Sequence, residues 1–160
     1  HRDSMGNGSV MRPGDVQRMS AGTGVQHSER NPSADRPAHF LQIWLRPDTV
    51  GLHPGYEQKH FVAGEKRGRL RLVVSPDGAD GSVRMNQDAR LYAGLFDGAE
   101  RATLDVATGR LAYVHLVRGG LTVNDTRLAA GDALKFTDVS SLVLADGANA
   151  EVLVFDLPGP

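Results

Sequence analysis

Wherever a period can be read along this chain, apolar and polar positions alternate with a period of two, the pattern of a half-buried β-strand. In Phe40-Leu41-Gln42-Ile43-Trp44-Leu45 one face carries Leu41, Ile43 and Leu45. Leu70, Leu72 and Val74 alternate with Arg69, Arg71 and Val73. Leu111 to Val117 reads as a strand buried on both faces, ending at Gly119-Gly120. Leu121-Thr122-Val123 then meets Asn124-Asp125, a hairpin signal, and Ser141–Leu144 and Val152–Phe155 predict two further strands. No segment sustains a 3.6-residue period, so little helix is expected. Short strands punctuated by glycine predict an all-β sandwich or barrel.

The chain also repeats itself. Arg12-Pro13-Gly14-Asp15-Val16 resembles Ala129-Ala130-Gly131-Asp132-Ala133, and the same 117-residue offset carries Asn7 onto Asn124. Both copies read as strand, Asn turn, strand, Gly-Asp, strand. His1 falls on Arg118, just after the strongest strand of the second copy, so the first copy is expected to start in mid-repeat. The counterpart of Ala102 to Val117 would then lie upstream, and a first residue other than Met agrees with a fragment. Between the copies, Arg46 to Phe96 carries Pro47, Pro54, Pro76 and the turn signals Ser75-Pro76-Asp77-Gly78 and Asp80-Gly81. It is expected to supply connections and strands that close one or both barrels.

Composition narrows the chemistry. Nineteen Gly among 160 residues exceed the usual share of ~7% and favour tight turns. The absence of Cys excludes disulfides, thiol catalysis and thiolate metal sites, and fits a reducing, cytoplasmic setting. Eighteen Lys and Arg against nineteen Asp and Glu leave a net charge of −1, with no basic footprint for direct nucleic-acid binding. No apolar run approaches the ~18 residues of a membrane span, and the first residues contain no apolar stretch of a secretory signal.

One pair carries metal chemistry: His27 and Glu29 in Gly22-Thr23-Gly24-Val25-Gln26-His27-Ser28-Glu29. Positions i and i+2 of a strand face the same way, so an imidazole and a carboxylate converge. That is half of a mixed N/O site for iron, nickel, manganese or copper, although a tight site needs three or four ligands. The same spacing also fits a surface His beside a surface Glu. At the repeat offset His27 falls on Leu144 and Glu29 on Asp146, so a metal site would be confined to one copy. His115 reads as a core or barrel-lining residue, while His39, His53 and His60 read as loop residues. Lys66, Arg67, Arg69 and Arg71 read as a solvated strand face rather than an anion-binding patch. No nucleophile elbow, P-loop or zincin motif is present.

Taken together, His1-Arg2-Asp3-Ser4-Met5-Gly6-Asn7-Gly8, Arg12-Pro13-Gly14-Asp15-Val16-Gln17, Met19 to Gly24, His27-Ser28-Glu29, Leu41 to Trp44, Tyr56 to Lys59 and Asn86 to Ala89 resemble the pirin family. The resemblance implies an all-β bicupin whose first barrel is incomplete at its N-terminus. Residues 1–45 would be the remainder of the N-terminal cupin, 46–96 the connecting segment and shared strands, and 97–160 the C-terminal cupin. It further implies one divalent metal, iron first, held by a His-x-His pair, a later His and a Glu. His27 and Glu29 match the last two, and the pair is expected upstream of His1.

The implied activity is quercetin 2,3-dioxygenase, cleaving a flavonol, with Glu29 as a base for the 3-hydroxyl proton as well as a ligand. Half a ligand set predicts inactivity and weak metal binding for the chain as given. The alternatives are a metal- or redox-responsive regulatory partner of transcription or other proteins, and a metal-free scaffold. Open strand edges of the first barrel predict a homodimer or strand exchange.

Overall fold

The computed structural model describes residues 1–159. Strands dominate it. The only helical elements among these residues are α1, Ala63–Lys66, and a single 3-10 turn, Ala79–Gly81. Among the described residues, no helix is long and apolar enough to cross a membrane.

The first 60 residues form two small antiparallel pairs. Strand β1 (Arg2–Asp3) pairs with β3 (His27–Ser28), and β2 (Asp15–Ser20) pairs with β4 (Gly55–His60). The rest forms one eight-stranded sheet: β5 (Leu70–Ser75), β6 (Val83–Arg84), β7 (Arg90–Gly98), β8 (Ala102–Asp105), β9 (Leu111–Val123), β10 (Thr126–Ala129), β11 (Ala133–Phe136) and β12 (Ser141–Leu157). The 46–96 segment therefore supplies β4 to the first part and β5, β6 and most of β7 to the second.

Two long strands make the corners of the second part. β9 pairs with β11 along Ala112–His115 and with β10 along Gly120–Val123, while β12 lies along its other edge. β12 pairs in turn with β8 through Ser141–Leu144 and with β7 from Gly147 to Asp156. The expected break at Gly119-Gly120 is instead a bend within one continuous strand, and the two strands expected at 141–144 and 152–155 are one. Backbone accommodates the bend where side chains are small or absent. Gly119 lies at φ +75°, and Asp146 and Asn149 at +52° and +47°, so the ladder shifts register without ending.

The inward residues of these strands, Phe96, Leu116, Leu121, Leu142, Leu144 and Val152, are fully buried in one core. A second cluster of Phe61, Val73, Val83, Leu91 and Phe155 draws in Val16 and Leu45 from the first part. The Asn124-Asp125 hairpin is present, with both residues at positive φ as a two-residue turn of this kind requires.

Residues 40–45 correct the sequence reading. They form no strand, and Phe40, Leu41, Ile43 and Trp44 are exposed, Trp44 by 88%. Alternation marks a face suited to a sheet, but a strand also needs a neighbour for its backbone groups, and none of the described residues supplies one. Only Leu45 reaches the core.

The repeat has a local counterpart in structure. The Arg12 amide donates to Asp15 Oδ2 (2.8 Å) and the Asp15 amide to the Arg12 carbonyl (2.9 Å). The Ala129 amide donates to Asp132 Oδ2 (2.9 Å) and the Asp132 amide to the Ala129 carbonyl (3.0 Å). The glycines between them, Gly14 and Gly131, lie at φ +96° and +92°.

Candidate metal centre

The β1–β3 register sets Asp3 opposite His27 and Arg2 opposite Ser28, and one further step places His1 opposite Glu29. His1, His27 and Glu29 each offer a ligand atom within 4.8 Å of the others. His27 Nδ1 lies 3.7 Å from Glu29 Oε1, so the pair expected from its spacing does converge. The two side chains retain 27% and 30% of their exposure, at an open edge rather than in an enclosed interior.

Sequence reasoning gave His1 no role at the site: it matched the residue to Arg118 and counted it in the stretch that resembles the pirin family. The signal was available: His1 and Asp3 stand two apart where β1 begins, as His27 and Glu29 do where β3 ends. Both side chains are inaccessible to solvent. His1 Nδ1 is 2.7 Å from Glu29 Oε1, and Nε2 is 3.2 Å from Asp3 Oδ2. Tyr56 of β4 stacks on the imidazole at 4.8 Å. Gln17 of β2 brings Nε2 within 3.3 Å of Glu29 Oε1, and its own Oε1 is buried with no hydrogen-bond partner among the described residues.

Asp3 anchors this arrangement. Oδ1 accepts the Met5 and Asn7 amides, and Oδ2 accepts the Asn7 side-chain amide. Burial works against the charged carboxyl of Asp3. The Asn7 and Met5 hydrogen bonds, with the His27 imidazole nearby, outweigh it and hold the group below the usual carboxylate range.

The donor set of His27 and Glu29, an imidazole and a carboxylate, suits a borderline divalent transition metal. Neither ring nitrogen of His27 has a hydrogen-bond partner among the described residues, which leaves a lone pair for a cation. The orphaned Gln17 oxygen adds an acceptor without a donor beside them. The residues present therefore fit one side of such a site.

The other candidates resolve differently. At the repeat counterpart of His27, Leu144 is fully buried in the apolar core of the second part. His60 is the last residue of β4, not a loop residue, and bonds Asp15 at 2.7 Å. His115 is half-buried on β9, and His39 and His53 are exposed outside the strands. The basic run is not one solvated strand face: Lys66 is buried at the end of α1, while Arg71 pairs with Glu65 (3.3 Å) and Arg67 with Glu100 (3.6 Å).

Residues 1–45 match the family model described as Pirin, and residues 72–157 match the one described as Quercetinase C-terminal cupin domain. The chain is 39% identical over 158 residues to quercetin 2,3-dioxygenase of Escherichia coli strain K12, covering 99% of this chain and 67% of that protein. The crystal structure of YhhW from Escherichia coli superposes with a TM-score of 0.93 at 38% identity, over 99% of this chain and 67% of the other. A structure of the bacterial pirin YhhW in complex with nickel(II) gives 0.91 at 37% identity with the same coverage. The chain thus spans about two thirds of these relatives' length.

Proposed function

Because the chain belongs to the pirin family and has its cupin-type fold, we propose that it carries part of the metal centre of a flavonol dioxygenase of the quercetin 2,3-dioxygenase type. Residues 1–45 are read as belonging to the N-terminal cupin, 46–96 as connection and shared strands, and 97–160 as the C-terminal cupin. His27 and Glu29 would hold one divalent transition metal, iron first among candidates. The observation that carries this reading is the convergence of His27 and Glu29 at 3.7 Å, with the His27 nitrogens uncommitted. The Escherichia coli structure with nickel(II) supports a divalent ion in a relative of this chain.

When bound, the metal supplies a Lewis-acidic centre for an anionic substrate oxygen. Glu29 does the proton chemistry. Its Oε1 is held by His1 and Gln17, whereas Oε2 has no hydrogen-bond partner among the described residues and can take the proton of a flavonol 3-hydroxyl. Asp3 and His1 keep the carboxylate in place while the proton moves.

The test measures metal content and quercetin consumption together, on a full-length parent protein that carries this chain, loaded with Fe(II) or Ni(II). His27→Ala is expected to lose both. Retention of both removes His27 from the chemistry, and a parent protein that retains no metal returns the reading to a scaffold.

A further inference from the structure

We propose that His1 is a positioning residue for Glu29, not a third ligand: it clamps Oε1 of the carboxylate and leaves Oε2 for the cation or the substrate proton. This rests on the reading of Glu29 as a ligand given above. Both ring nitrogens of His1 face carboxylate oxygens, Glu29 Oε1 at 2.7 Å and Asp3 Oδ2 at 3.2 Å. Each ring nitrogen is thus taken up by a carboxylate oxygen, and the side chain has no exposed surface at which a cation could reach it. His27, with neither nitrogen bonded, is the imidazole that a cation can reach.

The surroundings are built to hold the His1 ring still. It is solvent-inaccessible and stacked on Tyr56 at an interplanar angle of 23°. Asp3, which fixes Nε2, is itself fixed by three donors from Met5 and Asn7. The Gln17 amide lies 3.1 Å from His1 Nδ1 and 3.3 Å from Glu29 Oε1. The Gln17 amide donates to Glu29 Oε1, so that oxygen lies within hydrogen-bond distance of both His1 Nδ1 and Gln17 Nε2. Glu29 is otherwise a partly exposed side chain beyond the end of a two-residue strand, and would sample several rotamers without this clamp. Outer partners of this kind orient a ligand and commonly contribute 10- to 100-fold in metal affinity.

The experiment compares the full chain with its His1→Leu and His1→Gln variants, using Cu(II) as the probe. Affinity is measured by calorimetry, and the number of coordinated imidazoles by pulsed electron paramagnetic resonance. His1→Leu is expected to weaken Cu(II) binding about 10- to 100-fold. His1→Gln, which keeps an N–H donor, is expected to recover most of that loss, with the imidazole number unchanged throughout. Loss of one imidazole in His1→Gln makes His1 a ligand and overturns the proposal, as does parental affinity in His1→Leu.

A metal-free readout separates the clamp from the ligand reading. Carbon-13 relaxation of the Glu29 side chain is expected to report a rigid carboxylate in the parent and a mobile one in His1→Leu. A chain that binds no Cu(II) but shows this contrast overturns the ligand reading and keeps the clamp. Equal mobility in the two proteins overturns the clamp.

Discussion

Gly119 and Gly131 both lie at positive φ, +75° and +92°, yet replacing each with Ala should have unequal consequences. At Gly131 a Cβ would meet nothing within 4 Å, so Gly131→Ala costs only the backbone conformation, about 1–2 kcal/mol for a left-handed residue. At Gly119 a Cβ would lie 2.6 Å from the Asn149 carbonyl carbon and closer still to the Ala148 and Asn149 carbonyl oxygens. Those atoms are backbone of β12, so no side chain can swing aside. The two longest strands must separate where they bend together. Overpacking of this kind adds about 1–3 kcal/mol to the conformational cost. The gap between the two variants should be about 2 kcal/mol, or roughly 6 °C in melting temperature for a chain of this size. Urea unfolding followed by circular dichroism, with the slope m compared across variants, measures it. Equal destabilisation of Gly119→Ala and Gly131→Ala would refute the close packing of β9 on β12 at the corner.

Two other perturbations test the fold and its electrostatics. Arg110 bonds Asp156, whose residue is 8% exposed, and also reaches Asp88 at 2.9 Å, so Arg110→Met leaves the Asp156 carboxylate short of its main partner and should cost about 3 kcal/mol; a change below 1 kcal/mol in urea unfolding contradicts it. Burial disfavours the charged form of Asp15, but the Arg12 amide, His60 and Gln58 outweigh it and hold the carboxyl below its ordinary value. A carboxyl lowered in the folded state contributes stability that is present above the unfolded value of about 4 and is lost as pH falls through the folded one. Stability should therefore decline below about pH 4, less steeply in Asp15→Asn, and superimposable acid profiles for parent and variant would remove Asp15 from this effect.

The period-two pattern located β5, β9 and the ends of β12 because a buried sheet face writes alternation directly into sequence, and the Asn124-Asp125 turn signal implied β10 after it. It failed at residues 40–45 for a reason that lies outside the segment. Alternation records a suitable face, but pairing depends on a neighbour. It also failed at Gly119, where glycine reads as a terminator and the structure uses it as a hinge in a continuous strand. The convergence of His27 and Glu29 was legible because side chains two residues apart in extended chain face the same way. His1 was not read because its partner Glu29 is 28 residues away, and only the antiparallel register of β1 on β3 brings the imidazole to the carboxylate. The repeat was legible at its tightest point, the Gly-Asp turn, where four residues complete their own hydrogen bonds.

That turn bears on the order of events in folding. Its two bonds, Arg12 with Asp15 in one copy and Ala129 with Asp132 in the other, close loops of the shortest kind, for which the loss of chain freedom is smallest. The ladder between β7 and β12 must instead join residues some fifty positions apart, such as Phe96 and Ala150. Contacts of short range form before those of long range when neither is yet supported by a core. Both halves of the chain can thus begin from the same nucleus, and their kinetic histories part only afterwards. One half carries a long-range apolar ladder, and the other the short β1–β3 pair that sets His1 against Glu29.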